Sequence, residues 1–336
     1  MTDISGTSEM LATARVFSLP MVNRFRGISV RDGVLLRGPA GWAEFAPFHN
    51  YDDTDCVPWL RAALDSAAEP WPVPVRDHVE VNTTVPVVEP DEAFRLVRDS
   101  GCRTAKVKVA DPGASPASDA DRLAAVREAL GPAGRIRIDA NAAWTADQAI
   151  ALIPQFAAAA GGLEYVEQPC PGPAELSRVR AATATPIAAD ESIRLATDPL
   201  AVARAHAADI AVIKVAPLGG VKAALRIADE VRIESGMQIV VSSAVDTAVG
   251  LAAGLAAAGA LPDLPFACGL GTASLLVEDV VTDRPLPMNG HLAVPRSAPH
   301  PDRLAAVAAD PRATAYWLAR LHRVADLLTA PGTPGR

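Results

Sequence analysis

Three acids stand where apolar strands would have no use for one: Asp139 closes "RIRID", Glu167 sits in "YVEQP" and Asp190 closes "PIAAD". A single acid at a strand end is commonly the N-cap of the next helix. These three recur about one strand-plus-helix unit apart, so they converge at one end of neighbouring parallel strands. With no His or Cys beside them they make a hard oxygen donor set, which suits Mg²⁺, with Mn²⁺ also possible, rather than zinc or copper. A bound cation would also relieve the repulsion among three adjacent anions.

Lysines flank the acids on both sides. In "TAKVKVA", residues 104–110, Lys106 and Lys108 point one way while Val107 and Val109 point the other, as the two-residue period of a strand requires. On a half-exposed sheet such lysines would face water. Here the strand precedes Asp139, and Lys214 in "VIKVAP" lies on the strand after Asp190, so the three ammonium groups are expected at the same mouth as the acids. A lysine crowded by other cations has its charged form disfavoured, which moves its pKa toward neutrality and makes it a general base. An amine base beside a divalent ion suits proton abstraction next to a carboxylate, with the ion stabilising the enediolate.

The elements that must position these residues alternate along the chain. From about residue 79, β-like runs (79–88, 104–110, 135–141, 164–169, 186–192, 209–217, 237–244 and 266–271) are separated by Ala-rich amphipathic segments with Gly or Pro at the joints. That alternation predicts an α/β protein with successive βα units, and eight strands with about seven helices favour a closed barrel over an open sheet. The first 78 residues differ: "ARVFSLPMV" and "GVLLRGPAGWAEFAP" read as strands and "CVPWLRAALDSAA" as a helix. The expected organisation is an α+β capping domain over 1–78, a catalytic barrel over 79–284, and a C-terminal segment, 285–336, whose helix "ATAYWLARLHRVADLL" returns to the cap.

Composition narrows the partners. A net charge of −8 over 336 residues and the absence of any basic run argue against nucleic acid or an anionic membrane as partner. The longest apolar run, 248–261, is stopped by Pro262 and is too short to span a bilayer. The opening "MTDISGTSEM" has no leader pattern, so a cytoplasmic location is expected. Cys56, Cys102, Cys170 and Cys268 are scattered and read as buried free thiols; the dispersed histidines read as structural. Nothing sets an oligomeric state, and a monomer is compatible with the sequence.

Taken together, "KVK", "DANAAW", "EYVEQP", "ADES" and "VIKVAPLGG", in this order across roughly residues 80–275, resemble the enolase superfamily, in its K-x-K, muconate lactonizing enzyme-like subgroup. Through "RFRGI", "GPAGWAEFAPF" and "ACGLGTASLL" the chain is most similar to the o-succinylbenzoate synthases of actinobacterial type. The resemblance implies a modified TIM barrel, (β/α)7β, capped by the N-terminal segment and C-terminal tail. It implies that Asp139, Glu167 and Asp190 bind the metal and that Lys108 is the base. Lys106 would support Lys108, and Lys214 would stabilise the enediolate from the other face. Asn141, Glu191, Ser242, Ser243, Gly269, Leu270, Gly271, Arg24 and Arg26 are implied as substrate contacts or their supports, with the loop from Arg24 to Gly27 closing over the site. The implied activity is a hydro-lyase step toward menaquinone on a small carboxylate substrate. Dipeptide epimerases of the superfamily carry an acid on the last strand, which "ACGLGT" lacks, and mandelate-type relatives use a His base, which "VVSSA" and "VIKVA" lack. N-succinylamino acid racemase remains the alternative activity, and an inactive barrel acting as a binding protein the alternative of another class.

Overall fold

The computed structural model describes residues 4–25, 27–195, 198–294 and 296–329. The cap is built from α1 (Ile4–Ala12), an antiparallel sheet of β1 (Arg15–Phe25), β2 (Ile28–Gly38) and β3 (Gly41–Phe45), and α2 (Val57–Ala68). The strands β4 (His78–Val85), β5 (Thr104–Lys108), β6 (Arg135–Asp139), β7 (Tyr165–Glu167), β8 (Ile187–Ala189), β9 (Ile210–Lys214), β10 (Gln238–Ser242) and β11 (Cys268–Gly271) pair in parallel in sequence order. β11 also pairs with β4, which closes the barrel.

Between these strands run α3 (Pro90–Ser100), α4 (Pro116–Leu130), α5 (Ala146–Ala159), α6 (Pro173–Ala182), the short pair α7 (Glu191–Arg194) and α8 (Ala201–Arg204), α9 (Val221–Ser235) and α10 (Ala248–Ala260). The helix starts follow local chemistry. Ser115 with Ser118, and Thr145 with Gln148, form reciprocal capping boxes that satisfy orphan N–H groups at the starts of α4 and α5. The chain then adds β12 (His291–Ala293) antiparallel to the foot of β4, followed by α11 (Pro301–Ala306) and α12 (Pro311–Thr329). Trp317 of α12 is fully buried against Phe45 of the cap sheet. Neither α1 nor β12 is evident from the sequence pattern, because each is short and held by contacts remote in sequence.

Strand alternation stacks the barrel interior in layers. Ala105, Val107, Ile136, Ile138 and Val166 face outward into the core shared with the helices. The opposite parity fills the interior, with Tyr165, Ala188, Ile210, Val212 and Val240 packing together below the mouth. The cross-strand register pairs Lys106 with Arg137 and Lys108 with Asp139, then Arg137 with Tyr165 and Asp139 with Glu167. Ser242 pairs with Lys214 in the same way. Polar side chains therefore gather in the last inward positions of the strands, where the apolar packing ends. Left-handed backbone at non-glycine residues follows directly: Ala110, Asn141, Ala142, Gln168 and Val245 all have positive φ just beyond strand ends, and such conformations persist where the surroundings over-determine them. All four cysteines are buried free thiols, as expected from sequence.

The cap is fastened to the barrel through polar groups. Arg31 of β2 donates to the carbonyls of Val245 (2.9 Å) and Ala46. Glu44 of β3 accepts from the backbone N–H (3.0 Å) and hydroxyl (2.5 Å) of Thr247, the N-cap of α10. Burial, reinforced by nearby Asp246 and opposed by Arg31, pushes the Glu44 carboxyl up to about 8. Because its folded-state pKa lies above the ordinary value of 4.5, its contribution to stability is present at low pH and is lost as pH rises toward 8. Thermal stability of the protein is thus expected to fall across that window by up to about 1.4 kcal/mol per pH unit for the group. Glu44→Gln should flatten the decline; equal slopes for variant and parent in a pH series of urea melts would show that Glu44 is ionised throughout.

Candidate active site

Five adjacent strand ends carry the six residues singled out for chemistry. Lys106 and Lys108 lie on β5, Asp139 ends β6, Glu167 ends β7, Asp190 follows β8 directly, and Lys214 ends β9. Glu167 pairs with Ala188, and Asp190 is two residues further on, so it shares the inward parity.

The side chains interlock. Lys106 Nζ donates to both oxygens of Glu167 at 2.8 Å and lies 3.4 Å from Asp139 Oδ2. Lys108 Nζ donates to Asp139 Oδ2 at 2.5 Å and to Asn141 Oδ1 at 2.7 Å. Lys214 Nζ donates to Asp190 Oδ2 at 2.6 Å. The lysines are 6%, 9% and 6% exposed for Lys106, Lys108 and Lys214, which excludes the water-facing alternative for "TAKVKVA". Burial opposes ionisation of Asp139, but Lys108 and then Lys106 hold it well below the usual carboxylate range. Glu167 moves the other way: burial and Asp139 push it up to about 7 against the pull of Lys106. At Lys106 the shift is opposite to the sequence expectation, since burial would lower its pKa but Glu167 and Asp139 together raise it.

Among the described residues, no three His, Cys, Asp or Glu side chains are gathered closely enough to hold a metal as they stand; ammonium groups are bonded to the carboxylate oxygens instead. The donors nevertheless fit a hard divalent ion. Asp139, Glu167 and Asp190 are buried carboxylates at the ends of three neighbouring strands. An ion would exchange for lysine Nζ contacts.

Two openings lead from this network to solvent, both roofed by the cap. One, of about 750 Å³, is lined by Arg24, Phe25, Lys108, Ala110 and Asn141. The Phe25 ring centroid lies 5.2 Å from Lys108 Nζ. The other, of about 340 Å³, is lined by Gly27, Tyr51, Asn141, Glu191 and Arg194. Arg24 thus borders the mouth from the cap, while Arg26 lies outside the described residues. Arg24→Ala is expected to raise KM several-fold with kcat little changed, because an exposed cation at the rim of the mouth can attract a carboxylate without taking part in bond making. Unchanged KM would leave Arg24 a solvated charge.

The remaining candidates divide. Asn141 bridges the centre: its N–H donates to Asp139 Oδ1 at 3.0 Å and its Nδ2 to Glu191 Oε1 at 3.3 Å. Ser242 Oγ donates to the Gly269 carbonyl, and Ser243 pairs with Thr272. Gly269 allows close packing, since a Cβ there would collide with Ser242, and a Cβ at Gly271 would meet the Asn82 carbonyl oxygen at 2.5 Å. Leu270 points outward into the helix-facing core and does not join the mouth. Sequence inspection missed several supports. Gln168 Oε1 accepts from the Asp190 and Ser192 N–H groups (2.8 and 3.1 Å), and Arg122 Nη1 donates to the Lys108 carbonyl at 3.1 Å. Arg194 and Tyr51 were missed as well. The "EQP" after β7 was the available signal for Gln168; Tyr51 had none.

Known proteins carry the same two-part organisation. Residues 16–67 match the "Enolase N-terminal domain-like" family and residues 90–299 the "Enolase C-terminal domain-like" family. The chain is 55% identical over 312 residues to an o-succinylbenzoate synthase of Thermobifida fusca, covering 92% of this chain and 95% of that one. It is 49% identical to the o-succinylbenzoate synthase of Mycolicibacterium smegmatis, covering 95% and 97%. In fold it is similar to muconate lactonizing enzyme from Pseudomonas fluorescens, with a TM-score of 0.76 at 21% identity, over 88% of this chain and 98% of that one. The L-Ala-D/L-Glu epimerase of Bacillus subtilis is similar too, with a TM-score of 0.73 at 23% identity, over 85% and 96%. Matched along nearly its whole length, the chain belongs to the enolase superfamily, in the family of the o-succinylbenzoate synthases.

Proposed function

We propose that the protein dehydrates 2-succinyl-6-hydroxy-2,4-cyclohexadiene-1-carboxylate to o-succinylbenzoate, with Lys108 as base and with Asp139, Glu167 and Asp190 holding Mg²⁺ or Mn²⁺. One observation carries this assignment. Across five consecutive strand ends run Lys108, Asp139, Glu167, Asp190 and Lys214, an ammonium at each end of a row of buried carboxylates. A divalent ion bound by that row would supply electrostatic stabilisation for the second negative charge that develops when the α-proton leaves.

Lys108 borders the larger opening and takes the proton alpha to the ring carboxylate. The same ammonium then returns a proton to the departing hydroxyl, so water leaves and the ring becomes aromatic. Lys214, at the far end of the row, faces the other side of the ring and supports the developing anion. Phe25, whose ring centroid lies 5.2 Å from Lys108 Nζ, borders the opening that substrate would fill, and displacing solvent from it would strengthen each charge interaction beneath. Turnover of the cyclohexadiene followed by ultraviolet absorbance, with N-succinyl amino acids in parallel, tests the assignment. Divalent-ion-dependent loss of the diene is the expected result; racemisation of N-succinyl amino acids without dehydration would overturn it.

A further inference from the structure

Arg194 connects the cap to the carboxylate row. It ends α7, a single turn that starts directly after Asp190, and it is 6% exposed. Each nitrogen of its guanidinium is used in a different direction. Nε donates to Asp190 Oδ1 at 2.9 Å, Nη2 to Glu191 Oε1 at 2.6 Å, and Nη1 to the Tyr51 hydroxyl. The first two contacts lie within one turn of the same chain. The third reaches 143 residues back into the cap.

Tyr51 is itself held at both ends. Its ring packs with Phe48 and Trp59, with centroids at 6.0 and 6.1 Å. Its backbone carbonyl accepts from Arg320 Nη2 of α12 at 2.5 Å, and that same nitrogen reaches the Phe48 carbonyl. A continuous polar path thus runs from the C-terminal helix through the cap loop to Arg194 and ends on Asp190. The two oxygens of Asp190 are divided between Arg194 and Lys214. A metal ion approaching the row can exchange with the single ammonium contact of Lys214, whereas the planar guanidinium fork of Arg194 holds the other carboxylate oxygen.

We propose that Arg194 is a positioning residue that orients Asp190 for ion binding and that Tyr51, acting through it, makes affinity for the divalent ion depend on the seating of the cap. The inference rests on the proposed ion site. A four-residue helix has no stability of its own, so its geometry is set by tertiary contacts: the bonds of Arg194 act together with those from the Asp190 and Ser192 N–H groups to Gln168. Lysine at this position carries the charge but cannot reach three partners at once. Hydrogen-bond partners that orient metal ligands typically contribute about 10–100-fold to metal affinity.

The test is calorimetric titration of Mg²⁺ into the full-length parent, Tyr51→Phe, Arg194→Lys and the double variant, with the melting temperature of each recorded without added ion. Tyr51→Phe, which deletes one hydroxyl away from the acids, is expected to weaken Mg²⁺ binding about 5–10-fold with the ion-free melting temperature nearly unchanged. Arg194→Lys should weaken it more. In the double variant Tyr51→Phe should add little, because its effect is transmitted through the guanidinium. Parent-like affinity in Tyr51→Phe, or fully additive losses in the double variant, would overturn the proposal; if Arg194→Lys does not fold, Tyr51→Phe alone decides it. A parent protein that binds no Mg²⁺ at all would instead remove the ion site, and the proposal with it.

Discussion

Lys108→Ala is expected to lower kcat by ~10²–10⁴-fold, the usual worth of a general base, whereas Lys106→Ala should cost far less. The two lysines stand two residues apart on β5 with the same parity, so strand alternation alone cannot rank them. The structure separates their environments. Lys106 is engaged by both oxygens of Glu167, and its pKa is raised by Glu167 and Asp139, so it persists as a fixed charge. Lys108 lies one layer nearer the mouth, borders the larger opening and sits beneath Phe25, where a substrate α-proton can reach it. Exchange with solvent makes the distinction sharper. In D₂O, with a racemisable N-succinyl amino acid, Lys108→Ala should lose exchange from one face while Lys214 still serves the other. Exchange retained at both faces would mean that another lysine is the base.

Glu167→Gln should keep the fold and lose most of the divalent-ion affinity and turnover. At the mouth the cationic groups Lys106, Lys108, Arg194 and Lys214 are matched one for one by Asp139, Glu167, Asp190 and Glu191. Neutralising Glu167 at nearly constant volume leaves the cluster with a surplus positive charge, which repels an incoming cation and removes one anionic donor. Lys106 keeps Asp139 as a partner at 3.4 Å, which limits the loss of folding stability. The readout is the melting temperature as Mg²⁺ is raised. Parent protein at 100-fold excess over its Kd should gain about 2.7 kcal/mol, and the variant should show a flat response. A normal rise in melting temperature together with normal turnover at low Mg²⁺ would remove Glu167 from the ion site.

Much of this site is legible in the chain because its logic is local. Strand alternation puts Lys106 and Lys108 on the face opposite Val107 and Val109 whatever the rest of the molecule does, and the recurrence of Asp139, Glu167 and Asp190 in successive βα units aligns them once the strands pair in order. No described helix is long and apolar enough to cross a membrane, in line with the shortness of the apolar run at 248–261. The outward orientation of Leu270 was missed because the glycines beside it carry no side chain to mark the parity of so short a strand.

The amino-acid sequence by itself determined which residues carry charge into the barrel and on which strands, since residue type and a two-residue period act over a few positions. Only the tertiary structure decided what holds them. The bond from Arg194 to Tyr51 spans 143 residues and that from Thr247 to Glu44 spans 203. Such contacts form where the cap, the barrel and the C-terminal helix meet, and no local periodicity encodes which surfaces will bury one another. The same holds for charge state: burial beside another acid raises the carboxyls of Glu44 and Glu167, because the cost of ionisation depends on the neighbours that folding supplies.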